Sequence, residues 1–160
     1  MKEISLPILP NCPIKKNDLS KNGKFLLKTF GEFNFIQNTM FDESLIEYNE
    51  NYQNDQSYSQ TFKWHMFSVY EMIKKQFPKG STLVEVGCGK GAFLDIVNKD
   101  NYFNYKGFDS TYEGDDINIE SRYLTIDDSM TADIIVLRHT LEHIKTPFNF
   151  FCISLKYFNK

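Results

Sequence analysis

The chain has 160 residues, 41% hydrophobic and 16% aromatic, which is enough apolar surface for one packed domain with a small appendage. Its net charge of −3 excludes the strong basic field of a protein that grips a nucleic-acid backbone. No apolar run reaches the ~20 residues that cross a bilayer, and the first ten residues lack the apolar core of a secretory signal. The three cysteines, Cys12, Cys88 and Cys152, stand apart without a C-x-x-C pair. That disfavours a disulfide framework and a structural zinc site, and the expected compartment is a reducing cytoplasm.

Residues 1–22 are rich in Pro and Asn and read as irregular. Two short apolar runs follow at 25–30 and 33–37. Gly31-Glu32 between them suits a type II′ turn, so a β-hairpin is expected. Residues 41–52 read as a short helix capped by Asp42, and 52–59 as a polar loop. A long helix is predicted over 59–77. Phe62, Met66, Val69, Tyr70, Ile73 and Phe77 give it one apolar stripe, and Pro78-Lys79-Gly80 ends it.

The pattern then changes. A buried strand at 82–86 leads into Gly87-Cys88-Gly89-Lys90-Gly91 and a helix over 92–99. Further strands are predicted at 105–108 and 134–137, with a weaker one at 122–125 and a last helix over 147–157. Strands alternating with helices indicate an α/β parallel sheet.

The glycine loop is the strongest local signal. Glycine permits a tight turn at positive φ and lets a ligand approach the backbone. The helix that follows adds a positive dipole end. Asp109, 22 residues after Gly87, ends the next strand and is placed to accept from two ribose hydroxyls. Two cofactors compete. Gly87, Gly89 and Ala92 fit the dinucleotide pattern G-x-G-x-x-G/A, whereas Glu85, Gly87, Gly89 and Gly91 fit the E-x-G-x-G-x-G of S-adenosylmethionine (SAM) methyltransferases. Negative charge from Glu85 suits the zwitterionic, sulfonium-bearing SAM better than an anionic pyrophosphate. A tight turn without a ligand is the third reading.

The stretches VEVGCGKGAFL, GFDSTYEG and DIIVLRHTLEHI together resemble a bacterial class I SAM-dependent methyltransferase. The subgroup they are most similar to is the sugar C-methyltransferases of saccharide biosynthesis. FDESLIEYNENYQNDQSYSQTF also resembles that subgroup, through Phe41, Asp42, Leu45, Tyr48, Tyr52, Asn54, Gln56, Ser59 and Phe62. The resemblance covers about residues 24–155. It implies a Rossmann-like sheet with helices on both faces over residues 58–160, preceded over 1–57 by a hairpin and a helical segment. Such enzymes usually carry an N-terminal zinc module with paired cysteines. Here Lys28-Thr29-Phe30-Gly31 stands where C-x-x-C-G is expected, so that module is expected to be zinc-free. The family's sheet has seven strands, and this chain reaches about the fourth. A truncated domain is therefore expected, with an open edge at strand 134–137 that a second copy or another partner would cover.

The resemblance implies that Glu85, Gly87, Cys88, Gly89 and Gly91 hold the methionine side of SAM and Asp109 its ribose, with Gln56 and Ser59 touching the cofactor. Ser59 as a plain helix cap and Cys88 as a packing residue are the bland alternatives. His139-Thr140-Leu141-Glu142-His143 has three readings. As H-x-x-E-H it matches an inverted zinc-peptidase motif, but that motif needs a helix presenting both histidines. On the resemblance, His139 or His143 is a general base beside the donor, with Tyr52 a further catalytic candidate. The third reading is structural packing after the strand. The expected activity is methyl transfer to a small-molecule acceptor such as a nucleotide-linked sugar. The alternatives are a non-catalytic SAM-binding module and an NAD-dependent oxidoreductase.

Overall fold

The computed structural model describes residues 3–7, 22–30, 34–45, 58–125, 127–128, 130–144 and 146–154. The chain divides into two compact units, Met1–Asn54 and Asp55–Lys160.

The first unit holds two antiparallel ribbons. Strand β1 (Ile4–Pro7) pairs with β2 (Asn22–Phe25), and β3 (Leu27–Phe30) with β4 (Phe35–Asn38). The β1–β2 pair corrects the irregular reading of residues 1–22. Its strands are too short and too far apart in sequence for local patterning to reveal them. The β3–β4 hairpin is where it was expected, with Phe30 paired to Phe35 and Asn34 at φ 51°. The turn expected at Gly31-Glu32 lies outside the described residues.

Asn38 joins the two ribbons. Its Oδ1 accepts from the N–H groups of Leu26 (2.9 Å) and Met40 (3.1 Å), and its Nδ2 donates to the Lys24 carbonyl at 3.0 Å. Of the expected helix over 41–52, the described part is a 3₁₀ turn, Glu43–Leu45, with the Ser44 N–H donating to Asp42 Oδ1 at 3.0 Å. Cys12, Tyr48, Tyr52, Asn54 and Gln56 lie outside the described residues.

The second unit opens on helix α1 (Gln60–Lys74), with Ser59 as N-cap. There follow β5 (Thr82–Val86), α2 (Ala92–Asp100), β6 (Asn104–Phe108), β7 (Ile119–Glu120), β8 (Ile134–Val136) and α3 (Pro147–Ser154). The four strands pair in the order β7-β6-β5-β8, all parallel. Strand β7 lies three residues before the expected 122–125 strand. That stretch is diverted into a turn: the backbone N–H of Thr125 donates to Asp128 Oδ2 at 2.7 Å, and Arg122 Nη1 donates to the same oxygen at 2.9 Å.

Strand alternation sorts the core onto two faces. Leu83 and Ile134 join Met66 and Tyr70 of α1 and Phe93, Leu94 and Val97 of α2. Val84, Val86 and Phe108 form the opposite layer with Leu124 and Ala132, and Phe150 of α3 packs against it. The sheet is thus covered on both faces, as a parallel sheet requires. Phe93, Leu94 and Val97 are fully buried, each contributing roughly 1.5–3 kcal/mol of hydrophobic stabilisation. Gly107 lets α2 lie close to β6, because a Cβ there would stand 3.1 Å from Cys88 Sγ and crowd Leu94. At the far end of the helices, Tyr70 and Lys74 of α1 both donate to Asp100 Oδ2. Among the described residues no helix is long and apolar enough to cross a membrane.

Candidate functional site

The carboxyl ends of β5, β6 and β8 converge on the glycine loop. Parallel strands place their exits on one side of the sheet, where α/β proteins bind ligands. Gly87, Gly89 and Gly91 take φ of 76°, 57° and 82°, a left-handed sequence that side chains resist. The loop is anchored below by the Gly87 N–H, which donates to the Phe108 carbonyl at 2.8 Å. A Cβ on Gly87 would collide with the Thr140 side chain, whereas one on Gly89 would meet nothing within 4 Å. The crest of the loop is therefore open to a ligand at Gly89 and closed beneath Gly87. Helix α2 starts at Gly91 without a side-chain cap, so its first-turn N–H groups face the same region.

Asp109 is half-buried at the exit of β6. Its Oδ2 accepts from the Gly89 N–H at 2.7 Å, and its Oδ1 accepts from the N–H (2.8 Å) and hydroxyl (2.7 Å) of Thr111. Lys90 and Glu113 form an exposed ion pair at 3.0 Å between the loop and the segment after Asp109.

Glu85 is fully buried, on the face of β5 that looks toward α2. Burial pushes its carboxyl up to about 7, against the pull of Arg138; the Asp109 charge adds to the rise. Arg138 Nε donates to Glu85 Oε1 at 2.9 Å, and its guanidinium lies 4.3 Å over the Phe93 ring. Glu85 Oε2 and Arg138 Nη1 are buried without hydrogen-bond partners among the described residues. Burial, with the charges of Glu85 and Asp109, pushes the Cys88 thiol up to about 12, so it packs as a thiol and is a poor nucleophile.

The exit of β8 reaches over the loop. The Thr140 hydroxyl lies 3.0 Å from the carbonyls of both Val86 and Arg138. His139 is exposed and held at φ 52°, with its ring 5.9 Å from that of Phe62 and its Nδ1 3.7 Å from Glu142 Oε1. Left-handed φ at a non-glycine residue costs energy and often marks a functional position. His143 lies in a 3₁₀ turn, Leu141–His143, and is exposed. The helix that an H-x-x-E-H zinc motif needs is absent here, and no cluster among the described residues could hold a metal ion. Ser59 Oγ accepts weakly from the Phe62 N–H at 3.4 Å, the cap geometry, and Phe62 carries this end of α1 to His139.

The structure thus gathers Glu85, Gly87, Cys88, Gly89, Gly91, Asp109 and His139 at one end of the sheet. Gln56 and Tyr52 fall outside the described residues. Arg138 and Thr140 were missed by the sequence reading. The signal for Arg138 was parity: Ile134, Val136 and Arg138 alternate onto one face, and Glu85 pairs in register with Val136.

A family model described as "Methyltransferase domain" matches residues 66–159. The chain belongs to the methyltransferase domain family. The four-stranded parallel sheet with flanking helices is the Rossmann-like fold of class I methyltransferases, and the family implies a methyl donor of the SAM type. A search of curated proteins returned no significant match. The residues present suit such a donor: an open backbone crest at Gly89, an uncapped helix start at Gly91, and a strand-end carboxylate at Asp109. In this methyltransferase domain the loop is braced from two sides, by Asp109 at the exit of β6 and by Arg138 and Thr140 after β8.

Proposed function

We infer that this chain binds SAM in the loop between β5 and α2 and transfers its methyl group to a small-molecule acceptor, a nucleotide-linked or precursor sugar. The observation that carries the reading is the joint between Asp109 and the Gly89 N–H, beside a crest where a ligand can reach the backbone. The acceptor class rests on the resemblance of residues 41–62 to sugar C-methyltransferases.

When bound, SAM supplies a methyl group on a positively charged sulfur, already activated for displacement. The loop glycines, held from beneath by the buried Glu85, take the methionine side, and Asp109 accepts from one ribose hydroxyl. His139 stands at the β8 exit, where it can take the proton that an acceptor carbon or hydroxyl gives up as the new C–C or O–C bond forms. The methyl–sulfur bond breaks in the same displacement, so the enzyme's contribution is alignment and proton removal.

Calorimetric titration with SAM, with NAD as control, tests the cofactor assignment. Saturable SAM binding with none to NAD supports it, and the reverse assigns a nicotinamide enzyme instead. Methyl transfer from labelled SAM to a panel of nucleotide-linked sugars tests the acceptor. SAM binding with no transfer to any sugar would overturn that part and leave a binding module.

A further inference from the structure

We propose that Arg138 is a positioning residue for methyl-donor binding, acting through Glu85 to fix the glycine loop. The inference rests on the SAM reading above.

Arg138 leaves β8 on the same face as Glu85, and its Nε reaches Glu85 Oε1 at 2.9 Å. Glu85 is the penultimate residue of β5, two positions before Gly87. The same guanidinium lies 4.3 Å over Phe93, in the first turn of α2. One side chain therefore touches both flanks of the loop, the strand that enters it and the helix that leaves it. The next residue but one repeats the tie, since the Thr140 hydroxyl lies 3.0 Å from the Val86 carbonyl and its side chain roofs Gly87.

Stability alone does not account for this pair. Glu85 is fully buried and the Arg138 side chain is 16% exposed, so both charges give up hydration. A buried ion pair commonly gains less than an apolar pair of the same size. Here Glu85 Oε2 and Arg138 Nη1 are also left without partners, which adds to the cost. What the pair does supply is a directional link between two strand exits. The planar fork of arginine fixes an angle as well as a distance, which a lysine ammonium cannot.

The test is a double-mutant cycle on the full chain, read by SAM titration and by thermal unfolding of each variant. R138M and E85Q should each weaken SAM binding about tenfold, and E85Q/R138M should also be weaker by about tenfold, not a hundredfold, because both act through one link. The double variant should melt higher than R138M, since it no longer buries an uncompensated carboxyl. R138K keeps the charge and folds if R138M does not; it should still bind at least about threefold more weakly. Wild-type affinity in R138M or R138K overturns the proposal, as does additivity in the cycle. Recovery of affinity together with stability in the double variant also overturns it, because Arg138 would then be only structural. A wild-type chain that does not bind SAM defeats the cofactor reading itself, and this inference with it.

Discussion

The Gly89 N–H donates to Asp109 Oδ2 at 2.7 Å, so the acid at the end of β6 holds the crest of the loop between β5 and α2. The other oxygen, Oδ1, already accepts twice from Thr111. A carboxylate has about four acceptor sites, which leaves one on Oδ2 for a ribose hydroxyl. Asp109 thus shapes the loop, and on the proposed reading the same group would accept from the ribose. D109N keeps the volume but exchanges one oxygen for a donor. SAM affinity should fall about tenfold in D109N and further in D109A. Unchanged affinity by calorimetry in either variant would remove the ribose role.

Two glycine substitutions should separate folding from binding. G87A places a methyl against Thr140 as well as forcing φ of 76° on alanine. G89A meets open space and bears only the left-handed penalty, roughly 1–2 kcal/mol. G87A should therefore lose more stability than G89A in urea unfolding. G89A should lose SAM affinity out of proportion to its stability, because its methyl occupies the crest. Equal stability losses would contradict the contact between Gly87 and Thr140.

The buried Glu85 carboxyl sets a pH dependence with a definite sign. Its folded-state value is lifted from 4.5 to about 7, chiefly by burial. An acid with a raised value binds its proton more tightly folded than unfolded. Its contribution is therefore fully present below about 4.5 and is lost as the pH rises through about 7. Relative to E85Q, which cannot titrate there, the wild type should lose stability between about pH 5 and pH 8. Urea unfolding of both proteins across that range measures it. A wild type that gains on E85Q would show that Arg138 outweighs burial and keeps Glu85 ionised.

His139 combines exposure with a strained backbone. H139G removes the strain at φ 52°, and H139A keeps it, so H139G should be the more stable of the two by about 1 kcal/mol. Both should lose methyl transfer if His139 takes the acceptor's proton, while SAM binding persists. H143A, on an exposed turn, should stay within about 0.5 kcal/mol of wild type. Full transfer activity in H139G would move the base elsewhere.

Much of the second unit was legible because its signals are local. The stripe from Phe62 to Phe77 has helical spacing, and α1 buries Met66 and Tyr70 of that stripe. Leu83, Val84 and Val86 form a short apolar run, and β5 is buried there on both faces. Strand β7 was misplaced because Ile119–Glu120 has only two residues, below the length at which alternation shows, while Arg122 and Thr125 look strand-like but serve the Asp128 turn. The β1–β2 ribbon was missed because its pairing joins segments far apart in sequence through backbone groups, which leave no pattern of side chains.

The α/β class of the second unit, the glycine loop and the acid that follows it are written in local patterns of residues. Those depend on glycine's freedom at positive φ and on the period of apolar residues, which are properties of short segments. What the loop is fastened to depends on contacts between distant segments. Glu85 reads from sequence as a charge near a cofactor; in the fold it is sealed from water and paired with Arg138, 53 residues away. Thr140 carries no role of its own in the sequence; in the fold its side chain joins the positive φ of Gly87 in keeping a Cβ out of that position. Both relationships arise because β8 crosses over to lie beside β5, and strand order is set by packing of the whole sheet.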